Sequence, residues 1–407
     1  MKNQTLSNYK DYLFLYLFLL FSMSVCFLYL KHDVGNDSTI SEWIINYSGG
    51  FTKRGLIGQI SIYFSRFFDS ELRDIILYFQ VLIIGTYFIL IFIFLKNIFL
   101  ERIYLLCIFT PVFLLYPVYE IEVLARKEIF IFILFIIHLL ILIYKFKYAN
   151  ISKLITFTIS VLIWEPVLFF LPMWIFIDIA SKDFDKKNNL LFLIKDQIFY
   201  LPGIIICMVF IFNPLSELEH FQMATILKNE FNEVCYMSCS LLLHKSTFMQ
   251  QFTGNFHAYS TENVLRYIWI MFIAFLPLFI LLKNINFLKK KKFNFLINSE
   301  KKVTNYFYLI LSPVLILFLM GYDWGRWVNI SYTLSLLTFL YLYKKDIIII
   351  NFETLKKSRI NLLSLRNFSL IFIIYCFAWS PKTVITGDIG SFPLYRALYK
   401  IYKTFLT

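Results

Sequence analysis

Apolar runs long enough to cross a bilayer recur along nearly the whole of this 407-residue chain. A hydrocarbon core about 30 Å thick takes roughly 20 apolar residues per helix, fewer where aromatic residues anchor the ends. Such runs occupy residues 12–30, 75–95, 103–118, 129–144, 197–213, 265–282, 305–321, 329–343 and 367–380. Composition agrees, with 59% apolar and only 16% charged residues, against about 45–50% and about 25% in soluble domains. A soluble enzyme, a disordered chain and a coiled coil are thereby excluded. The expected fold is all-α, a polytopic integral membrane protein.

One further run, 151–180, is too long for a single crossing and carries Trp164, Glu165 and Pro166 at its middle. Read as a hairpin, it leaves the N-terminus and the loops at 96–102, 145–153, 181–196, 283–302 and 344–366 on one side. Those segments hold 24 of the 39 Lys and Arg residues, Lys289 to Lys292 among them. Read as one crossing, it moves the two richest loops to the opposite side. Cytoplasmic loops are the ones enriched in Lys and Arg, so the charges favour the hairpin. The expectation is about eleven transmembrane helices (10–12), in a bacterial inner membrane, with the N-terminus cytoplasmic. Glu165 then sits at an outer hairpin tip, clear of the bilayer centre where an ionised carboxylate is costly. Most of the net charge of +13 is thus an orientation signal, and nucleic acid is not an expected partner.

No small-residue cleavage site follows the first run; Lys31, His32 and Asp33 come directly after it, as in an uncleaved anchor. No repeat or low-complexity linker divides the chain. Residues 1–407 are expected to form a single transmembrane domain, with a first periplasmic loop at 31–74 and a large one at 214–264. The large loop is long enough to lie over the helices as a lid and too small to hold its own core easily. At the C-terminus, Leu394, Leu398, Ile401 and Phe405 have the spacing of a second interfacial helix. Arg396, Lys400 and Lys403 there run against the charge rule, which leaves open whether 367–380 crosses at all.

Cys26, Cys107, Cys207 and Cys376 lie in apolar runs and read as small hydrophobes. Cys235 and Cys239 share the polar segment CYMSC. With no His or further Cys at metal spacing beside them, a local disulfide is preferred to a zinc site, and two free thiols remain the alternative. His138 reads as hydrogen bonded between helices, while His220, His244 and His257 are dispersed. No metal and no cofactor is expected.

Basic residues on the outer face are not explained by topology. In NYSGGFTKRGLIG, Gly49 and Gly50 permit a tight turn, and Lys53 and Arg54 follow it. Leu56, Ile57, Ile60, Tyr63, Phe64, Phe67 and Phe68 then recur at helical spacing opposite Gln59, Ser61 and Arg66, as in a helix lying on a membrane. A turn, a helix start and two cations suit an anion; cations touching lipid headgroups are the plainer reading. The loop YEIEVLARKEIF adds Arg126, a planar fork for phosphate or carboxylate, and Lys127, a point charge; a solvated turn is the alternative. In GYDWGRWVNIS, Asp323 and Arg326 are one helical turn apart. Trp324 and Trp327 beside them are either interfacial belt residues or aromatic faces for a sugar ring. Glu165, between Trp164 and Pro166, is expected to have a raised pKa suited to proton transfer, or else to cap a helix that begins at Pro166.

The stretches NYSGGFTKRGLIG, ARKE, WEP and DWGRW, with the uneven spans and one enlarged outer loop, resemble the multi-spanning polymerases of bacterial surface-polysaccharide clusters, the O-antigen and capsule type. The chain departs from their usual two Arg-rich loops, since its cations are spread over Lys53, Arg54, Arg126, Lys127 and Arg326. The resemblance implies a glycosyltransferase that joins undecaprenyl-diphosphate-linked oligosaccharide repeat units at the periplasmic face. It implies no metal and, as a partner, a chain-length regulator. Lys53, Arg54, Arg126, Lys127, Arg326, Trp324 and Trp327 would bind diphosphate and glycan, and Glu165 or Asp323 would deprotonate the acceptor hydroxyl. Two other readings stand beside it. A polyprenyl-phosphate-sugar glycosyltransferase would put an acidic pair in the first outer loop, where Asp33, Asp37 and Glu42 are not adjacent. A lipid-glycan flippase or other transporter would carry charges or broken helices deep among the spans.

Overall fold

A computed structural model describes residues 2–33, 38–96, 98, 102–124, 126–181, 195–243, 248–287, 302–350 and 365–387. Asp37, His244, the basic run 289–292 and the C-terminal helix expected over 394–405 lie outside these residues. The chain is mostly helical, with almost no strand. In chain order the helices are α1 (Lys2–His32), α2 (Ser38–Ser41), α3 (Gly55–Phe68), α4 (Leu72–Leu95), α5 (Arg102–Phe109), α6 (Leu115–Tyr119), α7 (Ile121–Leu124), α8 (Glu128–Ile143) and α9 (Ala149–Ile163). There follow α10 (Leu171–Ser181), α11 (Leu201–Phe212), α12 (Glu217–Phe231), α13 (Phe248–Asn255), α14 (Thr261–Lys283), α15 (Lys302–Leu311), α16 (Leu315–Met320), α17 (Trp324–Lys344) and α18 (Leu365–Phe377). A short antiparallel pair, β1 (Ile285–Phe287) with β2 (Ile348–Ile350), matches Ile285 to Ile350.

Among the described residues, four helices are long and apolar enough to cross a membrane: Tyr9–His32, Leu72–Leu95, Lys195–Phe212 and Thr261–Lys283. They coincide with the runs expected at 12–30, 75–95, 197–213 and 265–282. Glu128–Ile143, Ala149–Ile163, Thr304–Met320 and Phe368–Phe377 are apolar but shorter.

The chain forms two compact units, each assembled from separate stretches. The first comprises Met1–Asn97, Ile121–Leu171 and Leu190–Thr247. In it α1 packs on α4, α4 on α8, α8 on α9 and α9 on α11. Helix α4 buries Ile76, Ile83, Ile84, Tyr87 and Ile91 on one side and exposes Tyr78, Leu82 and Ile89 on the other. Its buried Gln80 donates to the Thr39 carbonyl at 2.8 Å, which ties α2 to α4. The expected interruption of 151–180 is present: α9 ends at Ile163, Trp164 is extended, and a 3₁₀ turn runs over Glu165–Phe170. Pro166 explains the stop, since it lacks an N–H and biases the residue before it away from helix.

The second unit comprises Ile98–Glu120, Pro172–Asn189 and Phe248–Thr407. Its α17 is buried on every side from Trp324 to Leu342, as expected of a central helix. The run expected at 103–118 is not one helix. It breaks over 110–114, between α5 and α6, at Pro111. Carbonyls near this break find partners on α17: Asn329 donates to Val112 O at 2.8 Å, and the Tyr332 hydroxyl to Cys107 O at 2.9 Å. The polar stretch 214–264 is divided, its first part belonging to one unit and 248–264 to the other.

Candidate functional site

The loop between α1 and α4 is built on close backbone approach. Asn46 closes a turn, its carboxamide donating to Ile44 O at 2.9 Å and accepting from Ser48 N at 2.8 Å. Gly50 takes a φ of 148°, a conformation that favours glycine. Gly58, in the first turn of α3, lies so near residues 43–45 that a Cβ would stand 1.9 Å from Ile45 O and 2.6 Å from Trp43 O. Helix α3 turns Ile57, Gly58, Ser61, Ile62 and Ser65 inward and leaves Tyr63, Phe67 and Phe68 exposed. Ser61, expected on a solvated face, is buried, because its small side chain lets the helix pack closely. The aromatic face points away from the protein, as it does in a helix lying in a membrane interface.

Arg54 precedes α3 in the left-handed conformation, with a φ of 62°. That backbone turns its side chain toward the 3₁₀ turn after α9. There Arg54 donates from Nε to Glu165 Oε2 and from Nη2 to Glu165 Oε1, each at 2.9 Å. Its Nη1 also lies 3.6 Å from Glu42 Oε1, and Arg126 Nη1 reaches the same oxygen at 3.6 Å. Lys127, wholly buried, donates from Nζ to the Arg54 carbonyl at 2.6 Å. Three loops thus bring Lys53, Arg54, Arg126 and Lys127 around Glu42 and Glu165. Glu128 follows in the first turn of α8, where the helix dipole favours a carboxylate.

The electrostatics overturn the expectation of a raised pKa at Glu165. Burial does push its carboxyl up, but the Arg54 charge and hydrogen bonds, helped by Lys53, more than offset this and hold it at about 2. Glu165 is a fixed anion near neutral pH and no proton acceptor. Nor is it the cap of the following turn: Trp164 holds the N-cap position without a side-chain cap bond, and the Glu165 carboxylate is bound by Arg54. Burial, with Arg54 adding repulsion, lowers Lys127 to about 7 against the opposing pull of Glu42 and Glu165. Lys53 is lowered by burial and by Arg54, and raised by Glu165. It closes no ion pair among the described residues.

The large loop is tied to this unit by charge. Helix α12 begins with a capping box, Ser216 Oγ accepting from Glu219 N and the Glu219 carboxylate accepting from Ser216 N. Near its end, Arg66 of α3 donates to Glu230 at 2.7 Å, and Arg73 of α4 pairs with Glu233. Cys235 and Cys239 form a disulfide.

The other predicted residues gather in the second unit. Asp323 stands at the start of α17 and accepts from Arg326 Nη1, while the guanidinium lies 5.0 Å from the Trp327 ring centroid. Trp324 donates from Nε1 to Phe318 O at 2.8 Å and packs against Tyr259, Tyr267 and Phe318. Each tryptophan is only 8% exposed, so neither presents an open face to a sugar. Both are held in packing that the local sequence did not reveal. Gly325 is required because Lys382 O would lie 2.0 Å from a Cβ there. The segment that includes Lys382 and Thr383 adds an ion pair and a hydrogen bond to Glu120, at 3.2 and 3.1 Å.

Sequence reasoning weighed Glu42 only as a member of an acidic pair, and it missed Lys382 and its ion pair with Glu120. Glu42 carried a signal, a carboxylate inside the otherwise apolar EWII; Lys382 carried none beyond following an apolar run. No protein-family model, no curated protein and no solved structure matches the chain.

Proposed function

We propose that this chain is a membrane glycosyltransferase of the polysaccharide-polymerase type, which transfers a growing glycan from undecaprenyl diphosphate onto the next lipid-linked repeat unit. The observation that carries this reading is the convergence of Lys53, Arg54, Arg126 and Lys127 on two carboxylates, Glu42 and Glu165. An excess of cations beside a helix with an outward aromatic face suits a ligand with an anionic diphosphate and a lipid tail. About eleven spans with a cytoplasmic N-terminus, in a bacterial inner membrane, complete the proposal.

In the reaction the acceptor hydroxyl oxygen bonds to the anomeric carbon of the growing chain, whose bond to the diphosphate oxygen breaks. The electron pair leaves with the diphosphate, where Lys53 and Arg126 would stabilise it. Glu165 acts here as a positioning group, orienting Arg54, and the acceptor proton passes to the departing diphosphate. The test is the glycan ladder of a deletion strain complemented with Lys53→Ala or Arg126→Ala at wild-type membrane levels. Single repeat units in place of long chains are expected, and full-length polymer from both variants would overturn the proposal. Loss of one sugar per unit would mark a single-sugar transferase. Units accumulating on the cytoplasmic side would mark a transporter.

A further inference from the structure

The CYMSC segment is more than a staple. Asn232, left-handed at the end of α12 with a φ of 53°, reverses the chain. The cysteines thereby return to His220 in the first turns of the same helix. His220 Nε2 lies 3.1 Å from Cys235 Sγ and 3.3 Å from Cys239 O. The imidazole nitrogen and the two sulfurs all lie within 4.8 Å of one another. Cys239 is buried, and His220 and Cys235 are half-buried. In sequence the histidine is 15 residues from the nearer cysteine, so spacing alone concealed the group.

We propose that reduction of this disulfide opens a binding site for one soft d10 cation, Cu⁺ or Zn²⁺, held by Cys235, Cys239 and His220. Metal–ligand bonds of about 2.0–2.3 Å require donor atoms roughly 3–4 Å apart, and the imidazole already stands in that range of Cys235. Two thiolates and one imidazole are the donor set that selects soft cations over Mg²⁺ or Ca²⁺. Cu⁺ would be satisfied by the three ligands, and Zn²⁺ would add a water as the fourth. The chemistry balances with a dithiol or phosphine reductant. A dithiol becomes a disulfide, or a phosphine and a water become a phosphine oxide, as Cys235 and Cys239 become thiols, and the cation then displaces their two protons to solvent. Nε2 gives up its contact with Cys239 O and offers its lone pair, the ring proton moving to Nδ1. The site shares no residue with the cationic cluster and does not depend on the glycosyltransferase reading.

The experiment uses the full chain in detergent, reduced anaerobically with a phosphine that is then removed. Cu⁺ is titrated against a coloured Cu⁺ chelator, and Zn²⁺ against a coloured Zn²⁺ indicator. Reduced wild-type protein should take up one equivalent more of one of these cations than Cys235→Ser/Cys239→Ser, and protein with the disulfide intact should take up none of that excess. His220→Ala and His220→Gln should each weaken the site at least tenfold, and the pair guards against a folding defect in either one. The four remaining cysteines are common to every variant and cancel. Equal uptake of both cations by wild type and the double serine variant overturns the proposal, as does undiminished affinity in both His220 variants.

Discussion

The Arg54–Glu165 pair should show itself as a coupling energy with its own pH signature. Moving the Glu165 carboxyl from 4.5 to about 2 corresponds to about 3 kcal/mol of net preference for its charged form. Burial works against that form, so the attraction of Arg54 and Lys53 exceeds this figure. The two side chains are only 21% and 15% exposed, which limits screening by solvent. Glu165→Gln should therefore destabilise the protein by about 3–4 kcal/mol, leaving Arg54 with Glu42 alone. Arg54→Gln should cost about as much, and combining the two should be milder than the sum by roughly 2–3 kcal/mol. In the wild type the depressed pKa gives stability that is present above 4.5 and lost as pH falls through about 2. Without Arg54 the folded pKa moves up, since burial is then opposed only by Lys53 and a backbone hydrogen bond. The Arg54→Gln protein therefore loses less stability than wild type as pH falls below 4.5. Thermal unfolding in detergent, followed by size-exclusion of the surviving peak, measures both effects. Additive single variants, or an Arg54→Gln protein with the wild-type pH profile, would refute the reasoning.

Lys127 supplies a second pH dependence, of opposite origin. Its folded pKa of about 7 lies below the ordinary 10.5, so the unfolded chain binds more protons between those values and stability climbs with pH across that window. Lys127→Met should flatten the climb when melting is followed from about pH 7 to about pH 9. Gly58→Ala, whose Cβ would meet two carbonyl oxygens, should cost at least about 3 kcal/mol and abolish a monodisperse detergent peak. Gly254→Ala, with nothing within 4 Å of its Cβ in α13, should gain about 0.5–1 kcal/mol in the same assay. Lys153 and Asp196 are a buried pair, and Lys153→Ala alone should cost about 3–5 kcal/mol. Lys153→Met with Asp196→Leu should recover most of that, as a double-variant melting series would show.

The long helices were legible because a 20-residue apolar run has few other structures open to it. The break at Trp164 was legible too, since Pro166 leaves a local mark. By the same logic Pro111 marked the break after α5, but the surrounding apolar residues outweighed it in a reading based on hydropathy. Lys53, Arg54, Arg126, Lys127 and Glu165 were recognisable one at a time from charges that topology did not need. Their pairing was not, because local sequence shows Glu165 between Trp164 and Pro166 and hides an arginine 111 residues away. The predicted pKa went wrong for that reason alone. His220 was hidden in the same way by a helix that ends in a reversal. Trp324 and Trp327 were read as interfacial belt residues or as faces for a sugar ring, and the packing of Trp324 by Tyr259 and Tyr267 is a property of distant chain.

The reach of Arg54 also sets an order of events during synthesis. Glu42 precedes it, Lys127 comes 73 residues after it and Glu165 111 residues after it. At about 5–20 residues per second, Glu165 follows Arg54 by roughly 6–22 s. The bidentate Arg54–Glu165 pair therefore cannot close until the turn after α9 has been made, so joining the first loop to that turn is a late step in the assembly of this unit.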